Sequence, residues 1–201
     1  MLTFFLTWPV SAYSREAVTL YDTGHALIAS GNYTDAVLAF DYATAIEPGY
    51  FEAWNEKADA LNRAQQYNDA LEASDQALAL NPHYVAGWIN RGYILYNLGQ
   101  YADEIKAYER AIEIDPASAE AWFNRGYALA GVGRYDEAIQ SFDRVAELNY
   151  SYPNLQANRH IVEKNRDAST PFIVKYAPWL TLLCFFIIGF SWWIQRKRKN
   201  K

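Results

Sequence analysis

The chain repeats itself at an interval of 34 residues. "AGWINRGYILYNLGQY" from Ala86 matches "EAWFNRGYALAGVGRY" from Glu120, and "EAWNEKADALNRAQQY" from Glu52 matches both. Pro48, Pro82 and Pro116 mark the same interval. A fixed period of this length leaves few architectures open, because each unit is too short to bury a core alone and must stack on its neighbours. The period divides the middle of the chain into units 17–50, 51–84, 85–118 and 119–152. Each unit reads as two helices, at about unit positions 1–14 and 18–30. The turns between them are "SGNY", "AQQY", "LGQY" and "VGRY". The second helix stops near the proline, which cannot continue it.

Certain unit positions are filled in the same way throughout. Position 4 holds Leu20, Trp54, Trp88 and Trp122; position 8 holds Gly24, Ala58, Gly92 and Gly126. Position 11 is always leucine, at Leu27, Leu61, Leu95 and Leu129. Position 20 holds Ala36, Ala70, Glu104 and Ala138; position 24 holds Phe40, Ser74, Tyr108 and Phe142; position 27 holds Ala43, Ala77, Ala111 and Val145. Small residues facing large ones let helix ridges interlock. In this pattern the chain resembles the tetratricopeptide repeat (TPR) family over about 136 residues. The resemblance implies an all-α fold: a right-handed superhelix of four helix-turn-helix repeats plus a capping helix. Three departures stand out. Position 7, usually leucine, is Thr23, Lys57, Arg91 and Arg125, whose long stems can cover apolar neighbours with the charge outside. Glu104 replaces a small residue and predicts a looser helix pair in the third unit. Tyr150 stands where the fourth unit should have proline, with Pro153 three residues later.

The ends of the chain differ from the middle. A stacked array exposes its last apolar face and needs a cap with a polar outer side. Residues 153–167, with Leu155, Ile161 and Val162 on one side, read as that capping helix, and Thr170-Pro171 breaks it. Residues 172–194 are strongly apolar, and 176–194 are 19 residues without a charge. At 1.5 Å per residue such a helix is roughly 28 Å long, about one hydrocarbon core, so the segment is expected to cross a bilayer once. Trp179 near one end and Trp192 and Trp193 at the other are placed as interfacial anchors, and Arg196, Lys197, Arg198 and Lys199 follow in the tail 195–201. Retention of cations on the cytoplasmic side puts that tail in the cytoplasm and the repeats outside, on a cell membrane. Residues 1–14 are short and apolar. "LTFFLTWPVSA" resembles the apolar region and cleavage site of a truncated signal peptide, with a flank packed on the first repeat as the alternative.

Charge narrows the function. The net charge is −5 and five of the last six residues carry +5, so residues 1–195 carry −10. A body this acidic argues against nucleic acid. His25, His83 and His160 lie on different elements without metal-ligand spacing. "GVG" at Gly131–Gly133 lacks the Lys-Ser/Thr of a phosphate loop. No nucleophile–base arrangement is present in the pattern, so no enzyme, cofactor, metal or small-molecule substrate is expected.

The family resemblance implies that the first helices line a concave groove through unit positions 2, 5, 6, 9, 12 and 13. In this chain those positions supply Tyr21, His25, Glu52, Asn55, Glu56, Asp59, Ile89, Asn90, Tyr93, Tyr96, Glu120, Phe123, Asn124 and Tyr127, together with Ile28, Asn62, Arg63 and Asn97. Aromatic rings offer contact area at low entropy cost, and carboxylates favour a partner with Lys or Arg. Asn90 and Asn124 are placed to bond a peptide backbone. Chaperone-binding members of the family clamp a C-terminal carboxylate with Lys and Arg. Here the matching positions read Glu52, Glu56, Ala86 and Glu120, with Asn90 the one agreement, so that clamp is excluded. The expectation is a membrane-anchored scaffold or adaptor that binds a protein or peptide with basic and apolar residues, extracytoplasmic in a prokaryotic membrane. A cytosol-facing tail-anchored receptor and a self-assembling stalk are the alternatives.

Overall fold

The computed structural model describes residues 13–148 and 154–170. Among them are nine α-helices and no strand. The first eight form four pairs: α1 (Arg15–Ala29) with α2 (Tyr33–Ile46), α3 (Phe51–Arg63) with α4 (Tyr67–Leu80), α5 (Val85–Asn97) with α6 (Tyr101–Ile114), and α7 (Ala119–Gly131) with α8 (Tyr135–Glu147). Ser14, Asn32 and Ser118 cap α1, α2 and α7 by accepting from the N–H three residues on. The turn inside each pair needs one left-handed residue. Gly31, Gly99 and Gly133 supply it, and Gln65 takes it at φ 63° in the second pair.

Each pair packs tightly, and every second helix packs on the first helix of the next pair. α1 also meets α3, and α3 meets α5, so the first helices close up along one side. The core runs the length of the stack through Phe40, Leu61, Ile94, Leu95, Tyr108, Leu129 and Phe142. Position 24 presses its ring onto position 8. A Cβ on Gly24, Gly92 or Gly126 would sit 2.5, 2.4 or 2.7 Å from Phe40, Tyr108 or Phe142. The second pair makes the reverse choice, with Ala58 opposite Ser74.

The seams between repeats are held in one way three times. The indole N–H of Trp54, Trp88 and Trp122 donates to the carbonyl of Pro48, Pro82 and Pro116 at 3.1, 2.9 and 3.0 Å. The position-7 cations reach back to the preceding second helix: Lys57 to Asp41 at 2.6 Å, Arg91 to Asp75, and Arg125 to Glu109 at 3.0 Å. Lys57 also lies over Trp54, 4.8 Å from the ring centroid. The Arg125 guanidinium lies over Trp122 in the same way at 5.9 Å, and partly exposed carboxylates hold all three cations, each pair contributing about 1 kcal/mol or less.

Glu104 does not loosen the third pair; α5 packs on α6 as extensively as in the other repeats. The carboxylate is accommodated by burial, 3% exposed, with Oε2 lacking a hydrogen-bond partner.

α9 (Leu155–Ser169) belongs to a second compact unit that begins at Asn154. It starts and ends two residues later than the sequence suggests. Leu155 and Val162, seven apart, share its buried face, whereas Ile161 is 55% exposed, because a one-residue step turns a helix by about 100°. No described helix is long and apolar enough to cross a membrane. Segments 1–12, 172–194 and 195–201, with Trp179, Trp192, Trp193 and the basic tail, lie outside the described residues, as does the stretch 149–153.

Candidate interaction site

The first helices carry a ring cluster at the first repeat, buried asparagines between repeats two to four, and exposed tyrosines on repeats three and four. At the first repeat the side chains are stacked rings over carboxylates. Tyr13 lies 3.8 Å from Tyr50, and Tyr21 5.1 Å from Tyr50, both nearly parallel. The Tyr13 hydroxyl donates to Glu52 Oε2 at 3.0 Å; burial first, and then this bond, push its pKa up to about 12. His25 meets the Tyr21 ring edge-on at 4.6 Å, and its Nε2 is 3.7 Å from Glu56 Oε2. Burial raises the Glu56 carboxyl above the usual range, against the pull of His25 and of a 3.1 Å bond from Asn55 Nδ2. Asp59 is engaged by Arg63 at 2.7 Å.

The middle of this side holds an asparagine ladder between repeats. Asn90 Nδ2 donates to the Asn55 backbone carbonyl at 3.1 Å and to Asn55 Oδ1 at 3.2 Å. Asn97 Nδ2 donates to Asn62 Oδ1 at 2.8 Å, and Asn124 Nδ2 to the Tyr93 hydroxyl at 2.8 Å. Asn55, Asn90 and Asn124 are buried. The sequence placed the Asn90 and Asn124 amides on the surface to bond a partner's backbone; the structure places them in the seam, where they donate to the preceding repeat. Ile89 is also buried rather than groove-facing. Phe123 leans on Phe142, with centroids 5.6 Å apart, and is only part-exposed.

The open surface belongs to tyrosines and carboxylates. Tyr93, Tyr96 and Tyr127 are 41%, 50% and 58% exposed, and Glu120 is exposed beside them on α7. The structure therefore keeps Tyr21, His25, Glu52, Glu56, Asp59, Tyr93, Tyr96, Glu120, Phe123 and Tyr127 as surface candidates, of which Tyr21, Glu52, Glu56, Asp59 and Phe123 are part-exposed. Sequence reasoning missed Tyr13 and Tyr50, which lie outside the repeat positions it counted but complete the aromatic cluster.

Family models give this pattern a name. Models described as tetratricopeptide or TPR repeats match residues 21–73, 92–133 and 119–149. The helix pairs are tetratricopeptide repeats. Solved TPR structures share the fold. The chain is similar to a crystal structure of MamA at 26% identity, covering 66% of this chain and 78% of that one, with a TM-score of 0.62. A tetratricopeptide repeat protein from Parabacteroides merdae ATCC 43184 matches at 20% identity over 77% of this chain and 62% of its own, with a TM-score of 0.68. The first TPR of Spaghetti (RPAP3), bound to the HSP90 peptide SRMEEVD, matches at 23% over 60% of this chain and 98% of its own, with a TM-score of 0.57. No curated protein sequence matches the chain at the same stringency. The TPR fold supports a role as a protein–protein interaction scaffold.

Proposed function

We propose that this chain is a membrane-tethered TPR adaptor whose first-helix side holds a protein segment bearing basic and apolar residues. The carrying observation is the row Tyr93, Tyr96 and Tyr127, exposed on α5 and α7 and continued by Glu52, Glu56 and Asp59 on α3. Rings with little rotamer entropy to lose offer contact area, and the carboxylates select a cationic partner. The RPAP3 repeat holds SRMEEVD, which carries acidic residues at its end. Here Glu52, Glu56 and Glu120 would repel such a peptide, so the partner chemistry differs. The tether is the uncharged stretch 176–194 with its flanking tryptophans, and the tail cations support an orientation with the repeats outside the cytoplasm. Holding the repeats on a bilayer raises their effective concentration toward membrane partners.

Topology tests the tether. Single cysteines at Ser30 and Asn200, in a Cys184→Ser chain in sealed membranes, are probed with an impermeant thiol reagent from the outer face. Labelling at position 30 alone is expected. Labelling at position 200 alone makes the chain a cytosol-facing tail-anchored receptor. A chain that stays out of the membrane fraction defeats the tether altogether. For the binding side, Tyr93→Ala with Tyr127→Ala is expected to lower binding of a Lys/Tyr-rich model peptide at least about tenfold with helicity unchanged.

A further inference from the structure

The second helices carry a pattern of their own. Unit positions 22 and 26 face outward in every repeat. They are Glu72 and Gln76 in α4, Lys106 and Arg110 in α6, and Gln140 and Arg144 in α8. In α2 they are Leu38 and Tyr42, followed one turn later by Ile46. These three are 50%, 64% and 39% exposed. A spacing of four residues sets them in one stripe along α2. Ile46 has apolar counterparts in Leu80, Ile114 and Leu148, and Leu80 is 45% exposed, so what sets α2 apart is Leu38 and Tyr42, at two positions that the sister repeats fill with Glu, Gln, Lys and Arg.

A groove runs beside the stripe. Val37 and Asp41, the residues before Leu38 and Tyr42, line a cavity of about 520 Å³ that extends to α4. Trp54 and Leu61 line it from α3, and Asp69 and Glu72 line it from α4. Its lone cation, Lys57, is held by Asp41. Neither α2 nor α4 contains Lys, Arg or His. The corresponding groove at α6 is lined by Arg91, Lys106 and Arg110. One architecture thus offers an acid-rimmed groove with Val37, Trp54 and Leu61 in its lining at the first repeat junction, and further along a cation-rich one whose carboxylate is Asp103.

We propose that the α2–α4 groove is a second docking surface, separate from the first-helix side, and that it takes an amphipathic helix of a partner whose apolar stripe is flanked by Lys or Arg. Charge decides among the occupants. An anionic bilayer meets the same carboxylates that attract a basic helix, and a second copy of α2 brings no cation to them.

The test uses the full-length chain with phosphatidylcholine nanodiscs present. A photocrosslinking residue, benzoylphenylalanine, replaces Tyr42, or in a control chain Arg110, the same unit position in the third repeat. The probe is a synthetic leucine–lysine amphipathic helix about 18 residues long, with a leucine–glutamate helix as its counterpart. The lysine peptide is expected to attach at position 42 at least about tenfold more than at position 110, and more than the glutamate peptide. Asp69→Lys with Glu72→Lys is expected to abolish that preference while circular dichroism stays unchanged. Tyr93→Ala with Tyr127→Ala is expected to leave it intact, which separates this surface from the first-helix side. Equal attachment at both positions, equal attachment of both peptides, or attachment of position 42 to lipid, to a second copy or to residues 1–12 overturns the proposal.

Discussion

Position 8 and position 24 act as one choice made twice in different ways. Glycine admits a ring in three repeats, and Ala58 faces Ser74 in the other. Gly92→Ala would set a methyl 2.4 Å from the Tyr108 ring and is expected to cost about 1–3 kcal/mol, read from the shift in thermal midpoint. In the second repeat, Ser74→Phe alone is expected to destabilise, and adding Ala58→Gly to recover most of the loss. Equal stability of the single and double variants would show that the two positions do not share one space. Glu104 is the other misfit, a buried carboxyl whose pKa burial raises to about 7 from 4.5. Between those values the unfolded chain releases the proton and the folded chain keeps it. Stability from this group is therefore full below about pH 4.5, falls as pH rises, and falls no further above about 7. Glu104→Ala, which restores the residue of the sister repeats, is expected to gain relative to the parent by about 3 kcal/mol between about pH 4 and 8. A gain that does not change with pH would place the carboxyl in water.

The four turns inside the helix pairs have one shape and differ in one residue. Gln65 holds φ 63° where Gly31, Gly99 and Gly133 hold 78°, 72° and 79°. Gln65→Gly is expected to stabilise by about 1 kcal/mol, and unfolding midpoints in urea check it. This difference was visible in "AQQY" against "SGNY", "LGQY" and "VGRY", because a periodic sequence supplies its own comparison set. The helix pairing was legible for the same reason. The carboxylate partners of Lys57, Arg91 and Arg125 were not, since Asp41, Asp75 and Glu109 lie 16 residues away and read alone as ordinary solvated charge. The asparagines mislead for a physical reason as well. Asn90 and Asn124 sit at groove positions by count, yet their short amides reach the preceding repeat sooner than they reach solvent, and Asn90 buries Asn55 beneath the same bond. Of the candidate groove, the exposed tyrosines and carboxylates were legible, whereas Leu38 and Tyr42 on α2 stood out only when their exposure could be set beside the polar residues at the same positions of α4, α6 and α8.

Charge is uneven along the stack. The first two repeats hold ten carboxylates and two cations, Lys57 and Arg63, whereas the last two hold ten and six. Like charge strains the compact state, and salt relieves it, the screening length being about 8 Å at 0.15 M. Raising salt to about that level is expected to increase amide-exchange protection in α2 and α4 more than in α6 and α8. Equal gains would mean that the ion pairs at the seams already balance the acidic half. Because each repeat touches chiefly its neighbours, such differences stay local. The three tryptophans tied to proline carbonyls at Pro48, Pro82 and Pro116 turn that locality into an optical ruler. A chain keeping only Trp54, only Trp88 or only Trp122 would emit from one known junction. When that seam opens, its indole loses the carbonyl and meets water, and the emission shifts. Three such chains, followed side by side, would time the opening of each junction and show from which end the stack comes apart.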